Sequence, residues 1–482
     1  MIRTIVLTSS KNFRWLSMQE IIPFITKSWE GYRAGNHSVE VIDIDEVNVF
    51  KRMKDIMNVD NIVCSCFTVE ISRIISTFRK VLGLEFKTFF YVHGQATVGM
   101  WPFLKWTGTD FLTENDYFIV SCHRDIDSLK LAFDHPKVLV HPFLLNPTYN
   151  LDSKKEDNRF LYIGRVSEQK NLHSIILAMK YVEAELRRKQ SKFIVVGGGD
   201  DLGTPMAGVL GTDYIKYLKN LCNNLKIDDL VEFKGHVDRS NFTDLLKSFN
   251  GTFISTSLHS DENFGVAPYQ FLKAGGRAIL SDWGGYGFFR ELFDNIDYVP
   301  VNKSSHGHFC LVEDIAESLK NSLDKDYKII DKQVELKPYM DQIIERALEV
   351  YDQESQSVRP TSYAKNILKD REYYYLENVT EDRNHGSQIF ENFKDLNLHK
   401  LTFAYGAKGE VEFKSNRNYF ISPVVTFMDD QIIINDPHRG HFNVKRMEGE
   451  SFSVSSYLNE SIVITKTEAE YLYEIGYLAS FS

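Results

Sequence analysis

The chain has 482 residues, too many for one hydrophobic core, so its length predicts two to four domains. Its composition, 43% hydrophobic and 25% charged, fits a soluble globular protein, and no apolar run reaches the ~20 residues a membrane span needs. The formal net charge is -10, and residues 1–150 balance 16 basic against 16 acidic side chains, which argues against a nucleic-acid backbone as main partner.

The first residues read as a strand followed by a turn, with no charged-then-apolar leader, so the expected location is cytoplasmic, soluble or peripheral on the inner face of a membrane. Strand candidates follow at Ile2–Leu7, Val39–Ile44, Ile62–Cys66, Thr88–Val92 and Tyr117–Ser121, with helical stretches such as Ser72–Val81 between them. That alternation predicts a parallel sheet with crossover helices. After the polar stretch 152–158 a second series begins: Phe160–Ile163, Phe193–Val196, Val231–Phe233, Thr252–Ser255, Arg277–Leu280 and Tyr298–Val301. Within it Asn171–Arg188 reads as one amphipathic helix, with Leu172, Ile175, Ile176, Met179, Val182 and Leu186 on one face and Asn171 as N-cap. Met340–Tyr351 is another amphipathic helix. Beyond the break at Ser355–Pro360 the pattern turns β-rich, at Leu401–Ala404, Val411–Phe413, Val424–Met428 and Gln431–Ile434, with a hairpin turn at Asp429–Asp430. A terminal helix carries Thr467 and Glu470 at capping-box spacing. The expected division is 1–150, 151–337 and 361–482, with a helix near 338–355 returning to the first domain.

Two segments carry most of the chemistry. In the first, a strand ends at Gly164 and is followed by Arg165 and Lys170 just before a helix. A diphosphate calls for such cations, and a helix start adds N–H groups. In the second, Glu262 precedes Asn263, Phe264, Gly265 and Val266, which open a helix carrying Pro268 and Gln270. Gly265 lets backbone amides approach a phosphate, and Glu262 can accept hydrogen bonds from sugar hydroxyls. Other patterns carry less. Asp43-x-Asp45 and Asp125-x-Asp127 occur by chance in many chains. Asp436, His438 and His441 read as a polar hairpin turn rather than a metal site. The five cysteines show no zinc or disulfide spacing and read as buried free thiols. No metal site is expected.

Taken together, Gly164-Arg165 with Lys170, the glycines 197–199 after a strand, Val231 to Val237 with Gly235 and His236, and the run from Glu262 through Gly285 resemble the retaining GT-B glycosyltransferases of family 4, the glycosyl transferases group 1. The likeness is close over about 160–300, weaker over 1–150 and absent after about 360. It implies an α/β GT-B fold, two Rossmann-like doubly wound domains facing a cleft, here with a C-terminal β-rich accessory domain. It also implies a metal-independent hexosyltransferase that takes a nucleoside-diphosphate sugar, UDP-sugar slightly favoured, without a cofactor. Arg165, Lys170, Glu262 and His93 are the implied catalytic residues. His93, in Tyr91-Val92-His93-Gly94, matches the family's histidine near the transferred sugar. Gly164, Gly235, His236, Phe264, Gly265, Val266 and Gln270 are the implied donor contacts. Gln270 departs from the pattern, since the family has Glu there as a ribose ligand. The family's early glycine-rich loop is also missing, with Thr8 to Asn12 in its place. Trp101, Trp106 and Tyr117 read as cleft aromatics or core.

The sugar, the base and the acceptor stay open, the acceptor being a glycan, a lipid-linked group or a protein. The added domain would serve acceptor capture, homo-oligomerisation or attachment, and peripheral membrane contact is compatible with it. Rival readings are a non-catalytic sugar-nucleotide-binding or scaffold homologue, a protein- or peptide-specific glycosyltransferase, an epimerase or phosphorylase-like enzyme, and a nucleobase-modifying transferase.

Overall fold

A computed structural model describes residues 2–10, 16–32, 37–46, 48–49, 56–66, 69–93, 111–147, 149, 151, 158–199, 210, 213–237, 244–246, 249, 251–258, 262–324, 332, 334–359, 361–362, 405–409 and 411–480. Trp101, Trp106, Gly94 and the strand expected at 401–404 lie outside them. Two compact units emerge from the contacts, the first from 1–146, 263–266 and 333–373, the second from 147–262, 267–332 and 374–482.

The first unit holds six parallel strands: β1 (Ile2–Thr8), β2 (His37–Asp43), β3 (Asn61–Cys64), β4 (Lys87–Tyr91), β5 (Tyr117–Val120) and β6 (Val138–Val140), in the order β2-β1-β3-β4-β5-β6. Strands β3, β4 and β5 are buried along their whole length, which is why they read as continuous apolar runs rather than as alternation. Helices α1 (Leu16–Glu30), α2 (Val69–Lys80) and α3 (His123–Ala132) connect them. A buried bidentate pair ties α2 to the sheet: Arg79 donates to both carboxylate oxygens of Asp116 at 2.6 and 2.7 Å, and to the carbonyls of Phe86 and Phe111.

The second unit holds β7 (Phe160–Ile163), β8 (Phe193–Val196), β9 (Val231–Gly235), β10 (Thr252–Ser255), β11 (Arg277–Ser281) and β12 (Ile296–Val299), all parallel, in the order β12-β11-β10-β7-β8-β9. This is the doubly wound order in which the winding reverses between the first and fourth strands, here β7 and β10. The expected single helix over 171–188 is two, α4 (Leu172–Tyr181) and α5 (Glu183–Arg188), because Val182 leaves the helical region at φ -94°, ψ 23°. Helices α6 (Tyr214–Leu225), α7 (Val266–Lys273) and α8 (Val312–Asp324) follow, and α9 (Lys337–Leu348) groups with the first unit. Helix α9 starts earlier than expected because Pro338 is accommodated in its first turn, where no N–H is needed.

The described C-terminal residues form the expected β-rich part and group by contacts with the second unit. After the hairpin β13 (Asn302–Ser304) and β14 (Gly307–Phe309) come β15 (Tyr419–Ile421), β16 (Val425–Phe427), β17 (Gln431–Asp436), β18 (Gly440–Lys445), β19 (Ser451–Ser456), β20 (Ser461–Thr465), helix α10 (Lys466–Glu474) and β21 (Leu478–Ser480). They make a four-stranded sheet, β20-β19-β15-β21, and a three-stranded one, β16-β17-β18. Tyr405, Tyr457 and Ala479 enter the same apolar core as Leu172, Ile176 and Trp283, so the segment is fused to the second unit by shared burial. Residues 411–413 form no strand. The capping box is Thr465 with Glu468, two residues before the expected pair, because β20 passes straight into α10 without a connecting turn. The hairpin at Asp429–Asp430 joins β16 to β17 as expected.

Asp436, His438 and His441 are held as parts of the β17–β18 turn. Asp436 accepts from the His438 and Arg439 backbone N–H groups and from Tyr477 Oη, and His441 bonds Asn435. Arg439 beside it holds the Asp436 carboxyl down at about 2 against the effect of burial. All five cysteines are buried and free. Asp43 and Asp45 accept from Ser10 and Ser9 at the end of β1, and Asp125 is buried in the first turn of α3.

Glu313, at the start of α8, gives a pH-dependent term in this fusion. Burial pushes its carboxyl up to about 7, and Tyr473 Oη donates to Oε1. Because the folded value lies above the unfolded one, the contribution is full below about 4.5 and is lost as pH rises through 7. Glu313→Gln should therefore match the parent near pH 4.5 and exceed it at pH 8 by on the order of 2–3 kcal/mol. Paired thermal melts at both pH values check this; equal stability gaps would refute it.

Candidate functional site

Ligands of open parallel sheets bind beyond the carboxyl ends of the strands where the winding reverses. In the second unit those ends belong to β7 and β10. The chain leaving β7 carries Gly164, Arg165 and Lys170, and the chain leaving β10 carries Thr256, Ser257 and Glu262. The structure brings the two together: Lys170 Nζ lies 2.6 Å from Glu262 Oε2 and 3.4 Å from Ser257 Oγ. The side chains of the pair are only 15% and 10% exposed, so this is an ion pair held largely out of water.

Each side of the pair is fixed by backbone. Gly164 N donates to Val196 O, and Val166 N to Gly198 O, so the β7 exit runs against the 197–199 turn. A Cβ on Gly197 would lie 1.8 Å from Gly164 O, which makes glycine a requirement of that close approach. Residues Glu168–Lys170 form one 3-10 turn ending at Asn171, which sits in the left-handed region at φ 58°. Asn171 does not cap α4 by its side chain as expected. Its Oδ1 accepts from Ser174 Oγ and its Nδ2 donates to Thr256 Oγ1, linking the β7 and β10 exits again. Tyr162 Oη donates to Arg165 O at 2.7 Å. On the other side, Gly285 N donates to Glu262 O at 2.6 Å. Gly284, at φ 51°, packs so closely that a Cβ there would lie 2.1 Å from that same oxygen.

Gly235 and His236 close β9 at the outer edge of the sheet, two strands from β7; Gly235, at φ 68°, accepts from Gly197 N, and His236 is exposed. Gly265 has φ 83°, a conformation that favours glycine, where the chain turns into α7. Residues 263–266 group with the first unit: Asn263 O accepts from Ser121 Oγ, and Phe264 is fully buried edge-on to Phe143. Gln270 is half-buried one helical turn beyond Val266.

In the first unit, His93 follows β4. Its Nε2 donates to Ser65 O at 2.6 Å, since a carbonyl can only accept, and that leaves Nδ1 as a buried acceptor without a partner. Burial pushes its basicity down to about 4, so the ring is neutral at pH 7. Tyr117 is in the core, stacked on Phe89, with its hydroxyl on Glu349. Among the described residues no three His, Cys, Asp or Glu side chains come together as a metal-binding group, and no helix is long and apolar enough to cross a membrane.

Some polar groups at these edges were not singled out by sequence reasoning. Thr8 Oγ1 and Ser65 Oγ, at the ends of β1 and β3, are buried without partners among the described residues; β1 and β3 are neighbours, and β3 lies beside β4, the strand before His93. The Gln169 amide is 1% exposed with neither its oxygen nor its nitrogen paired, next to Lys170. Unsatisfied buried groups cost about 1–3 kcal/mol each. Position at a strand end was the available signal.

Residues 150–326 match the family described as Glycosyl transferases group 1. No curated protein matches the chain. Among solved structures, an Anabaena protein, Alr3699/HepE, in complex with UDP and glucose is 13% identical, covering 73% of this chain and 100% of its own, at a TM-score of 0.51. A structure described as trehalose-6-phosphate from E. coli bound with UDP-2-fluoro glucose is 12% identical over 82% of this chain and 98% of its own, at a TM-score of 0.47. The likeness to the Anabaena structure bears on fold, and the two six-stranded parallel sheets are the pair of Rossmann-like units of the GT-B class.

The buried pair makes a stability prediction. Removing one partner strands the other charge, which costs roughly 3–5 kcal/mol in buried pairs. Lys170→Ala should therefore lower the melting temperature more than the double variant Lys170→Ala/Glu262→Gln does. The reverse order in a thermal melt would mean that solvent, not Lys170, satisfies Glu262.

Proposed function

We propose, from the match of residues 150–326 to the glycosyl transferases group 1 family, that the chain transfers a hexose-type sugar from a nucleoside-diphosphate sugar, with retention and without a metal. The observation that carries the reading is the convergence of Lys170 and Glu262 where the winding of the second sheet reverses. Lysine has three N–H donors; Glu262 and Ser257 take two, and the third serves a phosphate oxygen. Arg165, on the same β7 exit, supplies a second cation. Tyr286 also bonds the Glu262 carboxylate, whose remaining lone pairs serve sugar hydroxyls.

In the reaction the bond from the anomeric carbon to the phosphate oxygen breaks, and its electron pair leaves with the diphosphate. The acceptor oxygen bonds the anomeric carbon on the same face and gives its proton to a phosphate oxygen. Lys170 and Arg165 oppose the charge that grows on the leaving group, each such preorganised donor supplying roughly 3–4 kcal/mol. In the first unit the neutral His93 ring keeps Nδ1 as a hydrogen-bond acceptor. UDP is the nucleotide to test first, because the Anabaena protein is seen with UDP and glucose. The acceptor class is a glycan, a lipid-linked group or a protein.

The test is a thermal-shift series with UDP, GDP and ADP and their sugars in EDTA. A nucleotide at a hundred times its Kd should add about 2.7 kcal/mol of stability. Stabilisation by one base class, lost in Lys170→Ala, is the expected result. With that donor, Lys170→Ala should lower kcat by roughly a hundredfold or more; a loss within threefold would remove Lys170 from the chemistry. No shift with any nucleotide would favour the non-catalytic reading, for which Gln270 in place of the family glutamate is the motive.

A further inference from the structure

The turn and the strand exit that hold the Lys170–Glu262 pair are in contact with residues outside the segment that matches the family. On the Glu262 side, the turn Asp282–Gly285 grips the glutamate carbonyl through Gly285 N. That turn is itself held by the C-terminal segment. Gly284 N donates to Tyr405 O at 2.8 Å, and Lys408 Nζ lies 2.6 Å from Asp282 Oδ2, a carboxylate only 4% exposed. The Tyr405 ring, fully buried, meets the fully buried Trp283 edge-on at 5.7 Å.

On the Lys170 side a second line of contacts runs through the same tryptophan. Trp283 stacks on His308 at 4.3 Å between centroids. His308 Nε2 donates to Leu258 O at 2.9 Å, and Leu258 N donates to Gln169 O at 2.8 Å, one residue before Lys170. His438, from the β17–β18 turn, meets the His308 ring edge-on at 5.7 Å. Both lines start in residues 405–438 and end at the two halves of one ion pair.

We propose that the C-terminal segment is a working part of the donor site, in which Tyr405, Lys408 and His438 are positioning residues that set the geometry of Lys170 and Glu262. This inference rests on the proposed donor role of that pair. It gives the segment a task inside its own unit, separate from acceptor capture or oligomerisation. A buried pair of this kind works only where both charges are held in place, and a misplacement of about 1 Å can cost a hundredfold in rate.

The test uses the full chain with Tyr405→Leu, Tyr405→Phe, Lys408→Ala and Lys408→Arg. Lys408 is largely exposed, so its variants keep the fold even where Tyr405→Leu does not. Hydrogen exchange of the ligand-free protein reads the brace directly. Amides of Gly284, Gly285 and Leu258 should exchange roughly tenfold faster in Tyr405→Leu and about threefold faster in Lys408→Ala, with Tyr405→Phe and Lys408→Arg close to the parent. Unchanged exchange at these amides in folded Lys408→Ala and Tyr405→Leu overturns the proposal, whatever the protein binds. Calorimetry with UDP is the second arm. Tyr405→Leu should weaken UDP about tenfold in the parent and add nothing in a Lys170→Ala background. Additive losses would show that Tyr405 acts on stability at large, and would overturn the positioning role. A parent that binds no UDP, GDP or ADP counts against the proposed function alone, and the exchange arm still decides the brace.

Discussion

A lysine and a glutamate 92 residues apart in sequence meet at 2.6 Å with little water around them. Such a contact is a weak device for stability, because desolvating two charges offsets most of their attraction. Its persistence depends on everything that fixes the two backbones. The winding of the second sheet makes β7 and β10 neighbours and sends their exits to the same edge. The glycine at 197 lets the β7 exit pass close to the next turn, and the left-handed Asn171 bends the chain so that Lys170 faces the β10 exit. Gly284 does the same for Glu262.

The two units use buried charge in different ways. Arg79 and Asp116 bind each other through both carboxylate oxygens, and the two terminal guanidinium nitrogens also donate to nearby backbone, which suits a strut between helix and sheet. Lys170 and Glu262 keep donor and acceptor capacity in reserve. The neutral His93, the hydroxyls of Thr8 and Ser65 and the amide of Gln169 share that incompleteness, all at strand ends and none in the sheet interiors.

Much of the architecture was legible in the sequence because its signals are local. Fully buried parallel strands such as Phe193–Val196 read as short apolar runs, and the Gly164-Arg165 and Glu262-Asn263 segments carry their chemistry within ten residues. Long-range features were not legible. Nothing near Tyr405 announces that its carbonyl receives Gly284 N, and nothing near His308 announces Leu258. The β-rich tail reads as a separate domain because its own strands pair with one another; only packing shows that Tyr457 and Ala479 belong to the core of the preceding sheet. Local errors had local causes. The capping box was displaced by two residues because a strand passes directly into α10, and the break at Val182 is invisible in an apolar stripe that runs on through it.

The shared core also has a consequence for how the chain is made. Domains emerging from the ribosome tend to fold in order as their last contacts become available. When residue 326 has emerged, the whole family-matched segment exists, yet Trp283 still lacks Tyr405 and the apolar face of α4 lacks the cover of Ala479. The second unit must therefore wait, partly uncovered, until residues 405–479 have emerged, and the first sheet, whose strands are complete by Val140, waits for α9. Nascent chains stalled just past residue 330 should for that reason be the ones that recruit chaperones.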